Sequence, residues 1–392
     1  MKKIYLKKGK EESLKRFHPW VFSGAIQRMD ENIEEGETVD VITHGGDFIG
    51  RGHYQIGSIA VRILTFKDEE IGAEFWNERL SAALRMRQVI GIADNPDNNT
   101  YRLVHGEGDN LPGLVIDCYG DTAVMQAHSV GMHICREHIV RELVNVMGKR
   151  IKNVYYKSET TLPYKADIEQ ENMFLYGRTN DTVSVENGLK FRVDYLHGQK
   201  TGFFVDQREN RLLLERLSKG NRILNMFCYT GGFSVYAMRG GAELVHSVDS
   251  SPRAIELTDE NVRLNFGDDG RHEAICEDAF KYLEKAGNNY DIIILDPPAF
   301  AKHRAALHNA LKGYTRLNMQ AMKKIKKGGI IFTFSCSQVV TKDNFRNAVF
   351  TAAALAGRNV RILHQLHQPS DHPVNIYHPE GEYLKGLVLY VE

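Results

Sequence analysis

The chain has 392 residues and carries 50 basic and 50 acidic side chains, so its formal net charge is zero at pH 7. Hydrophobic residues make up 42% of it and charged residues 26%, which excludes disorder and a collagen-like architecture and predicts roughly two or three domains. Because the net charge is zero, a polyanionic partner would have to meet positive charge concentrated in one region.

The N-terminal segment, residues 1–72, is predicted to form short β-strands at Glu37–Ile42, Phe48–Tyr54 and Ile59–Leu64. Glycine-rich turns separate these strands, a pattern typical of a small barrel or sandwich. The first 28 residues carry eight basic and two acidic side chains. They therefore form a local basic region that could contact a polyanion.

A linker is predicted over residues 73–99. Apolar residues at helical spacing indicate a helix over Ala73–Ile92, and turn-forming residues end it. Residues 100–185 are predicted to be a separate α+β domain. Its expected elements are one helix at Met132–Met147 and strands at Tyr101–His105, Leu114–Tyr119, Ala123–His128 and Lys152–Lys157.

Residues 186–392 are predicted to begin with a hairpin over 186–204 and then to alternate strands and helices. Such alternation indicates a mostly parallel sheet covered by helices on both faces, which is the α/β class. The expected strands are Arg222–Phe227, Leu244–Asp249, Tyr290–Asp296 and Gly329–Ser335. The expected helices are one from Phe233, one at Pro252–Asn265 and one at Leu307–Lys326.

The sequence contains no run of about 20 apolar residues, the length that a membrane-spanning helix needs. The basic N-terminus also lacks the apolar part of a signal peptide, so we expect a cytoplasmic protein with no membrane partner. The cysteines are odd in number, widely spaced and without a CxxC pair, which argues against disulfides and a metal site. They are Cys118, Cys135, Cys228, Cys276 and Cys336.

Ligands of an open parallel sheet bind outside the carboxyl ends of its strands. After the first strand comes the glycine turn Asn225–Gly232, which includes Thr230 and Gly231. Asp249 ends the second strand, where an acid could bind a ribose, and Asp278 follows the third, where it could hold an adenine. The spacing from Gly231 to Asp249 fits both nicotinamide and S-adenosylmethionine. A purely structural role, with Asp249 capping a helix, is the alternative.

The fourth strand ends in Asp296-Pro297-Pro298-Ala299-Phe300. A base-modifying methyltransferase has a use for such a rigid turn, because it aims a carbonyl and the Asp296 carboxylate at a planar base while Phe300 stacks on that base. A dehydrogenase has no evident use for it. The alternative is a rigid loop after a core strand.

Cys336 follows the fifth strand and is expected beside Asp296. Carbon 5 of a pyrimidine is a weak nucleophile, but a thiolate that adds to carbon 6 activates it. The expectation is therefore a Cys336 thiolate that the base can reach. The alternative is a small residue that lines a pocket. For Cys228, inside the glycine turn, we expect packing against the cofactor.

Residues 301–342 contain nine basic side chains and no acidic one, beginning with Lys302 and Arg304. A solvated helix face is the usual reason for a charge run, and it suffices for Lys323–Lys327. A run of this length next to the Asp-Pro-Pro turn instead favours contact with a phosphate backbone.

Together these motifs resemble the ribosomal RNA large-subunit methyltransferase I family, S-adenosylmethionine-dependent enzymes that make 5-methylcytosine in 23S rRNA. The likeness covers the whole chain, although the first of its motifs also occurs in a related family that methylates a guanine ring nitrogen. The matching segments are Lys200–Arg208, Asn225–Ser234, Asp296–Phe300 and Ser335–Ser337, with His18–Phe22 near the N-terminus.

The resemblance implies a PUA-like RNA-binding β-barrel, a small α+β domain and a C-terminal Rossmann-like class I methyltransferase domain. It implies S-adenosylmethionine as cofactor, large-subunit rRNA as partner and a homodimer. It makes Cys336 the nucleophile and Asp296 the residue that orients or deprotonates the base. The cofactor residues that it implies are Phe227, Tyr229, Gly231, Asp249, Asp278, Gln207 and Arg208.

One departure leaves the methylated atom open. Many 5-methylcytosine enzymes have a second cysteine in the fourth-strand motif, where this chain has Asp-Pro-Pro as in enzymes that methylate amino nitrogens. The first hypothesis is methylation of cytosine carbon 5 in rRNA, and the second is N-methylation of a purine. The third hypothesis is a non-catalytic RNA-binding assembly factor, and the fourth is a nicotinamide dehydrogenase.

Overall fold

The computed structural model describes residues 1–162, 171–178 and 183–392. The chain divides into two compact units. The N-terminal unit comprises Met1–Gly188, Val193–Val205 and Ser370–Gly381. The C-terminal unit comprises Leu189–Arg192, Asp206–Pro369 and Glu382–Glu392.

The first sheet of the N-terminal unit is built from short strands around a small apolar core that includes Ile4, Val39 and Val61. Its strands are β1 (Lys2–Leu6), β2 (Trp20–Phe22), β3 (Ile26–Met29), β4 (Thr38–Ile42), β5 (Phe48–Tyr54) and β6 (Ile59–Thr65), with the short helix α1 (Glu12–Lys15) after β1. The strand order is β2-β6-β5-β4-β1-β3. The prediction of glycine-separated strands is thus confirmed, with β5 at the predicted bounds.

The second sheet of this unit packs against three helices, and its core includes Trp76, Leu103 and Ile139. Its elements are α2 (Ala73–Val89), β7 (Thr100–His105), β8 (Leu114–Tyr119), β9 (Thr122–Ala127), α3 (Val130–Ile134), α4 (Arg136–Met147), β10 (Asn153–Tyr156) and β11 (Met173–Tyr176), and the strand β12 (Val183–Glu186) follows outside this sheet. The sheet order is β11-β10-β9-β8-β7. The single helix predicted over Met132–Met147 is in fact two helices that meet at Cys135.

The C-terminal unit alternates strands and helices as predicted. Its elements are β13 (Leu189–Arg192), α5 (Arg208–Leu217), β14 (Arg222–Met226), α6 (Gly232–Arg239), β15 (Leu244–Asp249), α7 (Pro252–Phe266), β16 (His272–Cys276), α8 (Ala279–Lys285), β17 (Tyr290–Leu295), α9 (Leu307–Lys324), β18 (Ile325–Ser335), α10 (Lys342–Ala356), β19 (Val360–Leu366) and β20 (Lys385–Val391). Its sheet has the order β16-β15-β14-β17-β18-β20-β19.

The first five strands of this sheet are parallel, and β20 runs antiparallel between β18 and β19. The central strand β17 reads Ile-Ile-Ile-Leu over residues 292–295, all buried, as expected for a strand covered on both faces. The strand order reverses between β14 and β17. A crevice outside the carboxyl ends of these two strands is therefore the expected ligand site.

No helix in the described ranges has both the length and the apolar character needed to cross a bilayer.

Candidate active site

The turn after β14 has an unusual backbone. Phe227, Tyr229 and Gly231 have φ of 59°, 48° and 75°, the left-handed region that L residues rarely adopt. The backbone N–H of Tyr229 donates to Asp249 Oδ2 at 3.0 Å, and Thr258 Oγ1 donates to the Tyr229 carbonyl at 2.9 Å. These bonds hold a conformation that costs about 1 kcal/mol or more at each non-glycine residue.

Gly231 lies where no side chain fits. A Cβ built there would come within 2.7 Å of Thr258 Cγ2. Thr230 is buried, and its carbonyl accepts a hydrogen bond from Asn261 Nδ2 at 2.9 Å. The turn is therefore packed tightly on α7 while its chain enters the N-terminus of α6, where free N–H groups favour a polar or anionic ligand.

Asp249 ends β15 beside this turn. Its carboxylate accepts the N–H of Tyr229 and, at 2.9 Å, the N–H of Ser251. The helix that follows is capped by the Ser251 hydroxyl, which accepts from Ala254 N–H, so Asp249 is not the side-chain cap. A half-buried carboxylate beside a tight glycine turn fits the ribose and backbone of a nucleoside ligand.

Asp278 is placed differently. It is exposed, and its carboxylate caps α8 by accepting the Lys281 N–H at 3.0 Å. A carboxylate that caps a helix retains other lone pairs, so Asp278 could also accept a hydrogen bond from an adenine. That contact stays a prediction.

The third part of the site joins the start of α5 to the end of β17. Gln207 Nε2 donates to Asp296 Oδ2 at 3.0 Å, and Gln207 Oε1 accepts from Asn210 Nδ2 at 2.6 Å. Gln207 and Arg208 are 3% and 2% exposed. The Lys200–Arg208 motif therefore orients the Asp296 carboxylate from a distant position in the sequence.

Cys336 and Asp296 follow neighbouring parallel strands, since Leu295 pairs with Thr333. Tyr314, which is buried on α9, fixes the loop that carries Cys336. Its hydroxyl accepts from Ser335 Oγ at 2.9 Å and lies 3.2 Å from Ser337 Oγ. Ser337 Oγ in turn accepts the N–H of Ala301 at 3.3 Å.

The residues predicted to contact a base are spread around this loop. Pro297 is buried and Pro298 is exposed. Phe300 is half-buried, with its ring centroid 4.6 Å from that of Tyr314. The ring therefore already packs on the core, and its contact with a base stays a prediction.

The basic run is more compensated than the sequence suggests. Three of its side chains pair with acids from outside the run: Arg316 with Glu284, Lys326 with Asp291 and Lys342 with Glu382. The expectation that the run lacks compensating acids holds within the run but not in the fold. Lys302 and Arg304, next to the Asp-Pro-Pro loop, are exposed and remain the candidates for phosphate contacts.

Sequence reasoning missed Lys385, the first residue of β20. Its main chain pairs with Ser335, and its Nζ donates to the Ser337 carbonyl at 2.6 Å. Lys385 is 7% exposed, and burial lowers its pKa to about 8. The apolar pattern of residues 385–391 predicts a strand, but the pairing of that strand with β18 depends on the tertiary fold.

Apart from the half-buried Cys336, the chain has four cysteines; burial raises the thiol pKa of three of them, and the fourth is exposed. Burial raises the pKa of Cys228, and it raises the pKa of Cys118 to about 12 and that of Cys135 to about 11. Cys276 is exposed. A thiolate is therefore disfavoured at three of the five positions.

Within the described ranges, one group of side chains has the spacing of a metal site: His18, His378 and Glu380. However, the Trp20 N–H donates to His18 Nδ1 at 3.2 Å. His18 therefore has one ring nitrogen, Nε2, left for a ligand, and this atom lies 3.5 Å from Glu380 Oε2.

Comparison with protein families gives two matches. A family of S-adenosylmethionine-dependent methyltransferases matches residues 161–375, and a PUA-like domain matches residues 4–66. The chain is also similar to the ribosomal RNA large subunit methyltransferase I of Aeromonas hydrophila, with 40% identity, and to that of Escherichia coli, with 39%. The first alignment covers 98% of both chains and the second covers 99% of both.

Solved structures agree with these matches. A Streptococcus mutans protein assigned to the S-adenosylmethionine-dependent methyltransferases superimposes with a TM-score of 0.85 over the full length of both chains, at 25% identity. A second solved chain with a methyltransferase assignment is complexed with SAH and has a TM-score of 0.86 at 25% identity. The predicted order of a PUA-like domain, a middle α/β region and a Rossmann-like methyltransferase sheet is thus confirmed.

Proposed function

The chain belongs to the ribosomal RNA large subunit methyltransferase I family of S-adenosylmethionine-dependent enzymes, and from this premise we propose that it methylates carbon 5 of a cytosine in large-subunit rRNA. In this proposal Cys336 forms a transient covalent bond to the base, and Asp296 orients the base. Membership of an enzyme family sets aside the non-catalytic assembly factor and the nicotinamide dehydrogenase.

One observation carries the proposal: the half-buried thiol of Cys336 and the carboxylate of Asp296 follow adjacent strands at the same edge of the sheet. Their loops are joined by the hydrogen bond that the Ala301 N–H donates to Ser337 Oγ. Both loops lie next to the crevice between β14 and β17, where the glycine turn begins. A thiol, a carboxylate and a tight glycine turn thus follow strands at one edge of the sheet, which supports the proposed roles.

The cofactor would be held by the turn after β14 and by Asp249. The carboxylate of Asp249 would bind the ribose, while Phe227, Tyr229 and Gly231 would surround the methionine part. Gln207 holds Asp296 from the side of α5. Bound S-adenosylmethionine supplies an electrophilic methyl group on its sulfonium sulfur and leaves as S-adenosylhomocysteine.

The base is activated by addition of the Cys336 thiolate to its carbon 6. A sulfur–carbon bond forms, and the electron pair of the 5,6 double bond becomes available at carbon 5. Carbon 5 uses that pair to take the methyl group. Loss of the carbon 5 proton, with Asp296 as a base within the site, restores the double bond and expels the thiolate.

The RNA would approach along the Asp-Pro-Pro loop. Lys302 and Arg304 are exposed there and follow Asp296 closely in the sequence, so they would contact phosphates that flank the target nucleotide. The PUA-like domain, with its basic first 28 residues, would add sequence-independent contacts.

N-methylation of a purine is the second candidate, because the carboxylate of Asp296 is oriented by Gln207 and could accept a hydrogen bond from an amino group. In that reaction Cys336 has no covalent role. The two candidates therefore differ in what happens when the thiol is removed.

The deciding experiment uses large-subunit rRNA fragments that contain 5-fluorocytidine. A fluorine on carbon 5 cannot leave as a proton does, so the cytosine mechanism predicts a protein–RNA adduct that survives denaturation. The Cys336→Ala protein should give no adduct with these fragments and no 5-methylcytosine in unmodified rRNA, while the exposed-thiol control Cys276→Ser should give the adduct with the first substrate and 5-methylcytosine in the second. Normal methylation by Cys336→Ala, with an N-methylated purine in the product, would contradict the proposal.

A further inference from the structure

Lys385 contacts the residues on both sides of Cys336, the residue on which the proposed chemistry depends. On one side of Cys336, the main chain of Ser335 pairs with that of Lys385 in the antiparallel register of β18 and β20. On the other side, Lys385 Nζ donates to the carbonyl of Ser337 at 2.6 Å. The loop that carries the thiol is therefore fastened from both flanks by a single residue of β20.

The charge of Lys385 needs compensation, because the side chain is 7% exposed and a buried ammonium group is costly without an anionic partner. The groups that act on it are Cys336, Glu382 and Lys342. Glu382 lies 2.5 Å from the Lys342 ammonium, which offsets its charge. Tyr314 faces Cys336 from α9, and burial raises the pKa of its hydroxyl, so this group stays neutral. Cys336 is thus the group that can supply a negative charge to Lys385.

We propose that Lys385 is a positioning residue for Cys336: the ammonium group of Lys385 fixes the thiol-bearing loop and favours the thiolate form of the sulfur. The inference rests on the proposed function, because a thiolate is needed only if Cys336 attacks a base. It names a residue that neither the sequence motifs nor the family match assigns. The competing account is purely structural: Lys385 satisfies the Ser337 carbonyl and has no influence on the thiol.

The test measures how fast iodoacetamide alkylates Cys336 in the full-length protein as a function of pH, with the modified residue identified by peptide mass spectrometry. A Cys276→Ser background removes the exposed competing thiol. In the native site, the pH midpoint for Cys336 should lie below about 8.5, the value of an ordinary cysteine. A midpoint at or above that value would overturn the proposal without any further variant.

The variants then separate charge from structure. Lys385→Met keeps the length of the side chain without its charge, and alkylation of Cys336 at pH 7 should slow by about tenfold, which corresponds to a rise of about one in the pKa of the thiol. Lys385→Arg keeps the charge and should restore most of the rate. Lys323→Met, which removes an exposed cation of α9 that is not among the groups acting on Lys385, is the control and should alkylate like the parent protein.

Two outcomes contradict the proposal: equal alkylation profiles in Lys385→Met and the parent, or an equal loss in Lys385→Met and Lys385→Arg. Binding of S-adenosylmethionine, measured by calorimetry, verifies that each variant is folded. Because alkylation needs no methyl transfer, its result is independent of the proposed function. A slowed alkylation together with normal methylation by Cys336→Ala would retain the thiolate partner and reject the cytosine chemistry.

Discussion

Removal of one buried hydroxyl, by Tyr314→Phe, tests whether the loop that carries Cys336 depends on its hydrogen bonds to α9. The hydroxyl contacts Ser335 Oγ at 2.9 Å and Ser337 Oγ at 3.2 Å, and both serines are buried. The aromatic ring would remain packed against Phe300 and Phe345. The substitution therefore removes hydrogen bonds and leaves the apolar packing intact.

The expected magnitude follows from those two bonds. At about 1 kcal/mol of net stabilisation each, their loss should lower the free energy of unfolding by about 2 kcal/mol. Ser337 Oγ keeps its bond from Ala301 N–H, and Ser335 Oγ keeps a 3.4 Å contact from Ser337 N–H, so neither serine loses every partner. Displacement of the thiol by a fraction of an ångström should slow methyl transfer by about tenfold or more.

Urea unfolding measures the first quantity, and single-turnover transfer of a labelled methyl group to rRNA measures the second. The affinity for S-adenosylmethionine should not change, because the turn after β14 is untouched. Tyr390→Phe, on the neighbouring strand β20, is the matched control and should behave like the parent. If Tyr314→Phe unfolds and methylates like the parent, the hydroxyl does not position the loop that carries Cys336.

Three further predictions follow. Gly231→Ala should weaken S-adenosylmethionine binding by at least about tenfold in calorimetry, because a Cβ would lie 2.7 Å from Thr258 Cγ2 at a φ of 75°; unchanged affinity would show that the turn can relax. Replacing Lys302 and Arg304 together by Gln should weaken RNA binding and reduce its dependence on salt by about two phosphate contacts, and an unchanged salt slope would remove these residues from the interface. Burial lowers the pKa of His53 and of His128 to about 4, below their ordinary value of 6.5, so the unfolded chain binds more protons in that interval and stability should fall as the pH drops from 6.5 to 4. Each histidine contributes on the order of 3 kcal/mol at most, and a flat profile of urea midpoints across this range would contradict the assignment.

The parallel core of the C-terminal unit could be predicted because its strands have a local pattern. Residues 292–295 are continuously apolar, and Asp249 and Asp296 lie at the ends of the strands, as expected. The glycine turn after β14 could also be predicted from the sequence, because a position with a positive φ, such as that of Gly231, favours glycine. Motifs of this kind are contiguous, so both the family resemblance and the fold class could be recognised from them.

Local sequence patterns were therefore enough to predict the alternation of strands and helices around the parallel core and several of the residues that follow its strands. The tertiary structure alone decided which of those residues meet. Lys385 lies 48 residues from Ser337, and Gln207 lies 89 residues from Asp296. Neither contact could therefore be predicted from a local sequence pattern. The basic run is another case, since the acids that offset it come from α8, β17 and the residues before β20. Hydrogen bonds and ion pairs between distant segments depend on how strands and helices pack, and hydrophobic periodicity carries no information about that partner choice.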